Sequence, residues 1–284
     1  MKKDHPISTL NPISNTAFYC CGVRMRDATK ENPVCGDRFA KLFMDSHGLK
    51  IYEELQCDVN CNISVIARHR IIDDVLLASL AAVPGLCIVT IGAGFDARPY
   101  RFKGGLWIEL DDPQLIAYKN KKLPTAACEN DLHRMATDFS CASLHEKLAP
   151  FSTLDNVLVI LEGVLLYLSQ AEIKDLVLFL QTLFPRHHLV CDLVTRRAIA
   201  RYGKTMTDKL KQLGVSFHAV DNPATIFIDN GYCLDRMMSI VEKAVDFLDA
   251  TPVHKIMLKY LLMPVSRGNV IGVFGLREGR TRAV

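Results

Sequence analysis

Long apolar runs, blocks of one charge and internal repeats are all missing from these 284 residues. No apolar stretch reaches the roughly 18 residues that a membrane span needs. The opening MKKDHPISTLNPISN has lysines but no apolar segment behind them. The expectation is a soluble, cytoplasmic protein with no membrane partner. Positive charge is not in excess: 34 Lys and Arg stand against 31 Asp and Glu, a net charge of +3. It is mixed along the chain, without the basic, aromatic-interleaved stripe of nucleic-acid binders, so no nucleic-acid partner is implied. Paired cysteine spacings are missing too. The ten cysteines lie singly in apolar stretches (Cys87, Cys191, Cys233) or side by side (Cys20-Cys21), as reduced, buried thiols do. Cys57 and Cys61 form the one near pair, and with His69 they lack the spacing of a zinc site. No metal is expected.

What the chain does have is core. Hydrophobic residues make up 49% of it, enough for one large domain with a cap. Short β-branched runs alternate with segments of helical period, the pattern of a doubly wound α/β sheet. Strands are expected at 86–91, 106–110, 132–136, 157–161 and 189–194, then at 234–241, with 269–276 as an antiparallel last strand, seven in all. Ser169-Gln-Ala-Glu172 is a capping box, and Ile173, Leu176, Val177, Leu180 and Leu183 then fall on one helical face. Residues 66–83 read as a helix stopped by Pro84-Gly85, and 244–262 as another. Residues 1–65 and about 195–230 fit the sheet poorly and are expected to cap the site, the whole of 1–284 being one domain.

In open α/β sheets ligands bind at the carboxyl ends of the strands, beside the switch in strand order. CIVTIGAGFDARP, residues 87–99, breaks there at Gly92-Ala93-Gly94, which brings backbone to a ligand with no Cβ between. At the end of the second strand, Asp111 is placed to accept both hydroxyls of an adenosine ribose, with Glu109 or Asp112 left to solvent. Asp138-Phe139 offers a carboxylate and a ring for an adenine, or Asp138 simply caps the next helix. Glu162 ends an apolar strand, and a carboxylate there needs a cation, for which the ammonium of a bound amino acid would serve. Tyr167 is a possible pocket residue or an ordinary core tyrosine. Arg68, with Arg70 and Arg24 behind it, suits a carboxylate bidentately, or lies on the surface.

In this order, Arg68-His-Arg70-Ile-Ile-Asp73-Asp74, Gly92-Ala-Gly94-Phe-Asp96-Ala-Arg98-Pro-Tyr100-Arg101-Phe102, Glu109-Leu-Asp111-Asp112-Pro113, Asp138 and Glu162-Gly-Val-Leu-Leu-Tyr167 resemble the leucine carboxyl methyltransferase family and its bacterial polyketide O-methyltransferase relatives. Asn15-Thr16-Ala17, Arg24 and Gly36-Asp37-Arg38-Phe39-Ala40 look like that family's opening segment, with Arg38 where a proline is common. The resemblance covers roughly residues 15 to 200. It implies a class I methyltransferase fold and S-adenosyl-L-methionine as cofactor. It also implies roles: Arg68 and Arg24 on the cofactor's carboxylate, the backbone at Gly92 to Gly94 and Glu162 at its methionine end, Asp111 on the ribose, and Asp138-Phe139 at the adenine. The acceptor stays open between a small carboxylic acid, a polyketide-like phenol and a protein C-terminus. His188, His218 and Tyr202 are candidate bases, none assigned, and no oligomeric state is implied.

Two other readings stay open. Gly92-x-Gly94-x-x-Ala97 also satisfies a relaxed dinucleotide fingerprint, which would make an NAD(P)-dependent oxidoreductase. Asp96 weighs against it, because a pyrophosphate is repelled by a carboxylate at its turn. A cofactor-binding protein without turnover is the third reading.

Overall fold

The computed structural model describes residues 11–56, 59–248 and 250–277. Seven strands form one sheet: β1 Cys87–Ile91, β2 Leu106–Asp111, β3 Asp131–Ala136, β4 Val157–Leu161, β5 His187–Val194, β6 Tyr232–Ser239 and β7 Asn269–Leu276. Their order is β3-β2-β1-β4-β5-β7-β6. All run parallel except β7, which is antiparallel to both β5 and β6. The expected fold class is therefore the observed one, and the order reverses between β1 and β4.

The strands can be central because every side chain of β1 and β4 is buried and apolar or nearly so. Alternation then sorts the side chains by face. Cys87, Val89 and Ile91 pack with Val157, Val159, Leu161 and Leu189 on one side. Ile88, Leu158, Ile160 and Val190 pack on the other. Each large apolar side chain so buried contributes about 1.5–3 kcal/mol.

The helices are α1 Pro12–Asp27, α2 Ser46–Leu55, α3 Val59–Ala82, α4 Arg98–Arg101, α5 Pro113–Lys122, α6 Cys141–Leu148, α7 Gln170–Leu183, α8 Arg196–Tyr202, α9 Lys204–Gln212, α10 Ala224–Asp229, α11 Ile240–Asp246 and α12 Pro252–Ser266. The box that starts α7 closes as expected: Ser169 Oγ accepts from Glu172 N–H, and the Glu172 carboxylate accepts from Ser169 N–H. Its five apolar residues are buried on the first face. α3 covers the opposite face, starting two turns before the expected 66 because its first turns pack in the cap, where Val65, Ile66 and Cys61 join the cluster of Phe18 and Phe43.

The expected helix over 244–262 is two helices. Thr251 caps a new start and Pro252 occupies its first turn, where the missing N–H costs nothing. Of the two segments set aside as cap, 11–56 folds into α1 and α2 over the carboxyl edge of β1. In the second, α8 and α9 line the same edge, but α10 belongs to the main core, with Phe227 stacked on Phe274 at 4.7 Å. Among the described residues no helix is long and apolar enough to cross a membrane.

Candidate functional site

A cavity of about 1130 Å³ opens at the carboxyl ends of β1 to β5, where the strand order reverses. Arg24, Arg68, Gly92, Ala93, Gly94, Asp111, Asp138, Phe139 and Glu162, the residues assigned to the cofactor from the sequence, line it with Tyr167, and Arg70 does not. They come from six separate stretches of chain, so the fold assembles what sequence order only implied.

The glycine turn is built from β2. Gly92 and Ala93 N–H both donate to the Leu110 carbonyl at 2.9 and 3.1 Å. Gly94 N–H donates to Asp111 Oδ2 at 2.6 Å, and Asp96 N–H donates back to Ala93 at 2.9 Å. The amides are thus spent inside the protein. Gly92 and Gly94 sit at φ +74° and +47°, the left-handed region that glycine favours. A Cβ on Gly92 would also strike the Val164 methyl. Gly92→Ala is expected to cost about 1–2 kcal/mol from the backbone alone, read as a lower midpoint in urea denaturation, with weaker cofactor binding. A midpoint within error of the parent would show that the turn tolerates a side chain.

Asp111 is 7% exposed, and its second oxygen, Oδ1, accepts from Asp112 N–H at 2.7 Å. Burial pushes its carboxyl up to about 6, against the two backbone N–H donors. Glu109, two residues earlier, is not left to solvent. It is 1% exposed and held by Lys119 at 2.9 Å and Arg134 at 2.7 Å, because the strand's interior face offers it no water. At β3, Asp138 is exposed and accepts from the N–H and hydroxyl of Ser140. The cap of α6 is Ser140, not Asp138. Phe139 stands at φ 63°, partly exposed on the cavity wall.

The other end of the cavity is ionic. Glu162 accepts from Arg68 Nε at 3.3 Å and from Arg98 Nη1 at 2.8 Å, with His69 Nδ1 at 3.4 Å. Burial by itself would raise its carboxyl, but Arg98, His69 and Arg68 hold it well below the usual range. Arg98 also pairs with Asp73 and Asp96, and Arg101 with the far oxygen of Asp73. Asp96 is thereby held at about 2 despite its burial. Arg68 is shared with Asp192 of β5 at 3.0 Å, whose other oxygen accepts from Gly163 N–H at 2.7 Å. Gly163 sits at φ +71°, the left-handed region that glycine favours, and a Cβ there would lie 3.1 Å from the Arg68 guanidinium. Arg24 lines the cavity but spends Nε on Asp37 at 3.0 Å and Nη2 on the Phe95 carbonyl at 2.8 Å. Arg70 turns away, to Asp74 and the Val34 carbonyl. Tyr167 donates to Thr16 Oγ1 at 3.1 Å and packs against Phe217.

Arg98, His69 and Asp192 were missed as site residues. In sequence Arg98 stands only within the motif after the glycines, and Asp192 carries no signal beyond an acid inside an apolar strand. That signal alone could have found it, by the reasoning that singled out Glu162. His188 and His218 lie outside the cavity lining. The Tyr202 side chain and Cys57 fall outside the described residues.

A seven-stranded sheet with one antiparallel strand, reversed between β1 and β4 under a polar-ended cavity, defines the class I methyltransferase architecture. The sequence model of the leucine carboxyl methyltransferase family matches residues 17–181, more than half of the chain, and the chain belongs to that family. A Mycobacterium avium (strain 104) protein named "Putative S-adenosyl-L-methionine-dependent methyltransferase" is 26% identical over 132 residues, 39% of this chain. The match spans only 41% of that relative's length. A duf574 family protein from Streptomyces avermitilis has a similar fold, with a TM-score of 0.57 at 11% identity over 93% of this chain and 100% of that one. So does a "putative methyltransferase" from Thermobifida fusca, with a TM-score of 0.58 at 13% identity over 90% and 94%.

Proposed function

We propose that this chain binds S-adenosyl-L-methionine in the cavity and transfers its methyl group to an oxygen of a small, largely apolar carboxylic acid. The observation that carries the cofactor reading is the glycine turn with Asp111. With the N–H groups of Gly92, Ala93 and Gly94 turned to β2 and that of Asp96 to Ala93, the glycine amides that would cradle the pyrophosphate of a dinucleotide are engaged within the protein. Asp111, in contrast, is a buried carboxylate on the cavity wall and suits two hydroxyl donors.

Bound, the cofactor supplies a methyl group on a cationic sulfur. The chain's own residues then hold and orient. Asp111 fixes the ribose, and Phe139 and Leu144 flank the adenine end. The ionic end offers both signs to an amino acid: Glu162 and Asp192 to an ammonium, Arg68 to a carboxylate. The remaining work is to keep the acceptor oxygen, methyl carbon and sulfur collinear at roughly 3–3.5 Å.

The acceptor reading rests on the apolar acceptor-side wall and on the engagement of the lining's histidine and of Tyr167. Its one histidine among the described residues is His69, 1% exposed and engaged by Arg98 and Arg101. Tyr167 has its hydroxyl pushed up to about 12 by burial, too high to serve as a base. A carboxylic acid, already ionised at pH 7, needs no base, whereas a phenol with a pKa near 10 does. On the acceptor side the wall is apolar, built from Ile199, Met206, Leu210, Phe217 and Leu262, which suits a small molecule better than a peptide end.

Calorimetry with S-adenosyl-L-methionine and NADH tests the cofactor, and NADH binding in its place would overturn the reading. Labelled methyl transferred to apolar acids as alkali-labile ester tests the acceptor, while alkali-stable product would assign a hydroxyl. Affinity should also depend on pH. Below about 6 Asp111 is protonated in the free protein and must lose its proton to accept both hydroxyls. Affinity is therefore expected to be flat above about 6 and to fall by up to about tenfold per pH unit below it. A flat profile to pH 5 would remove Asp111 from the binding role.

A further inference from the structure

The cavity runs on past the residues assigned to the cofactor. One drug-sized ligand fills about 300–1,000 Å³, and this cavity has about 1130 Å³. Asp138, Asp111, the glycine turn and Glu162 stand at the carboxyl ends of β3, β2, β1 and β4. Beyond β4 the sheet continues through β5, β7 and β6. Val194 ends β5 in register with Asn269, which starts the antiparallel β7. Ser239 ends β6 opposite Val270, and Ile240 follows it. Val194, Asn269 and Ile240 all line the cavity, so it follows one edge of the sheet from β4 to β6. Neighbouring strands lie about 4.7–4.9 Å apart, and three such steps carry the cavity about 14 Å beyond Glu162.

This extension is aliphatic. α11 supplies Ile240, Val241, Ala244 and Val245, and α12 supplies Leu262 and Val265. Among the described residues, none that lines the cavity after Ser239 is charged or aromatic, and Asn269 alone is polar. The walls are held from both sides. Ile240 is buried in the cluster of Ile71, Ile72 and Val75, and Lys243 reaches Asp74 at 2.8 Å, which fixes α11 on α3. Thr195 N–H donates to the Gly268 carbonyl at 2.9 Å, which brings the start of α8 to the end of α12. A peptide in this passage would bring backbone N–H and C=O groups that aliphatic side chains cannot satisfy. An aromatic acceptor would be matched by ring faces. An alkyl chain needs only apolar contact, and each methylene removed from water favours binding.

We infer that the acceptor is a straight-chain alkyl carboxylic acid, its carboxylate at the cofactor's sulfur and its chain lying along the passage from β4 to β6. The inference rests on the methyl-transfer reading above and names its substrate class. An extended chain gains about 3.6 Å over three bonds, so about 14 Å takes up about twelve of them. In the step itself a carboxylate oxygen forms a bond to the methyl carbon, and the carbon–sulfur bond breaks with its electron pair going to sulfur. The products are the methyl ester and S-adenosyl-L-homocysteine. No proton moves, so no base is called for.

Initial rates with labelled S-adenosyl-L-methionine and straight-chain acids from butanoate to hexadecanoate, each below its micelle-forming concentration, test the inference. kcat/KM is expected to rise about two- to fourfold per methylene up to about twelve carbons and then to level off. Val241→Trp, which puts a large ring into the passage, should bring dodecanoate down to the value of butanoate. Unchanged S-adenosyl-L-methionine affinity shows that the variant folds. Equal kcat/KM for butanoate and dodecanoate in the parent would overturn the inference and leave the methyl-transfer reading standing, as would a folded variant that treats dodecanoate as the parent does. Calorimetry with dodecanoate separates the two readings. Dodecanoate bound by the parent and not by the variant, yet never methylated, would uphold the passage and sink the carboxylic acid as methyl acceptor. Dodecanoate neither bound nor methylated overturns the inference outright.

Discussion

Arg98→Met is expected to lower the free energy of unfolding by about 3–5 kcal/mol, the cost of removing one partner from a buried ionic group. The Arg98 side chain is fully buried and holds three carboxylates, those of Asp73, Asp96 and Glu162. Methionine fills much of the volume but leaves those acids facing one another. They answer by taking up protons, so the loss should be largest near pH 8 and shrink toward pH 5, where protonation of the stranded acids relieves it. Urea denaturation at both values measures this, with Arg186→Met as control. Arg186 pairs with Asp155 at the surface, 77% and 65% exposed, where such pairs contribute little. Equal effects of the two substitutions would mean that the cluster is no more than a set of solvated pairs.

Asp111→Ala is expected to weaken S-adenosyl-L-methionine binding at least tenfold, about 1.4 kcal/mol or more. Two losses combine. The ribose loses its acceptor, and Gly94 and Asp112 lose the carboxylate that ties the glycine turn to β2. Asp111→Asn separates them, because the amide oxygen can still accept from Gly94 while the charge is gone. The asparagine variant should bind better than the alanine variant and lose the pH dependence below about 6. Calorimetry of both against the parent decides it. Unchanged affinity in Asp111→Ala would remove this residue from the site, whatever the fate of the methyl-transfer reading.

The glycine turn, Asp111, Glu162 and Arg68 were legible in sequence because each breaks a local rule. Glycines interrupt a β-branched strand, and acids end strands whose other residues are apolar. Arg98 and Asp192 break no such rule strongly enough to stand out. Glu109 misled for a related reason: alternation gives the side of the strand it faces, but not that Lys119 and Arg134 wait there. The single helix expected over 244–262 is divided by Thr251-Pro252, a start signal for α12.

By itself the sequence determined the seven strands, the capped α7 and the position of the ligand turn, since periodicity and turn chemistry act over a few residues. Only the tertiary structure decided the partners of the charges. Arg68 meets Asp192 from 124 residues away and Glu162 from 94. Arg98 meets Glu162 across 64. Pairing a buried charge depends on distances of about 3 Å, which local pattern does not encode and the packing of α3 against the ends of β4 and β5 supplies.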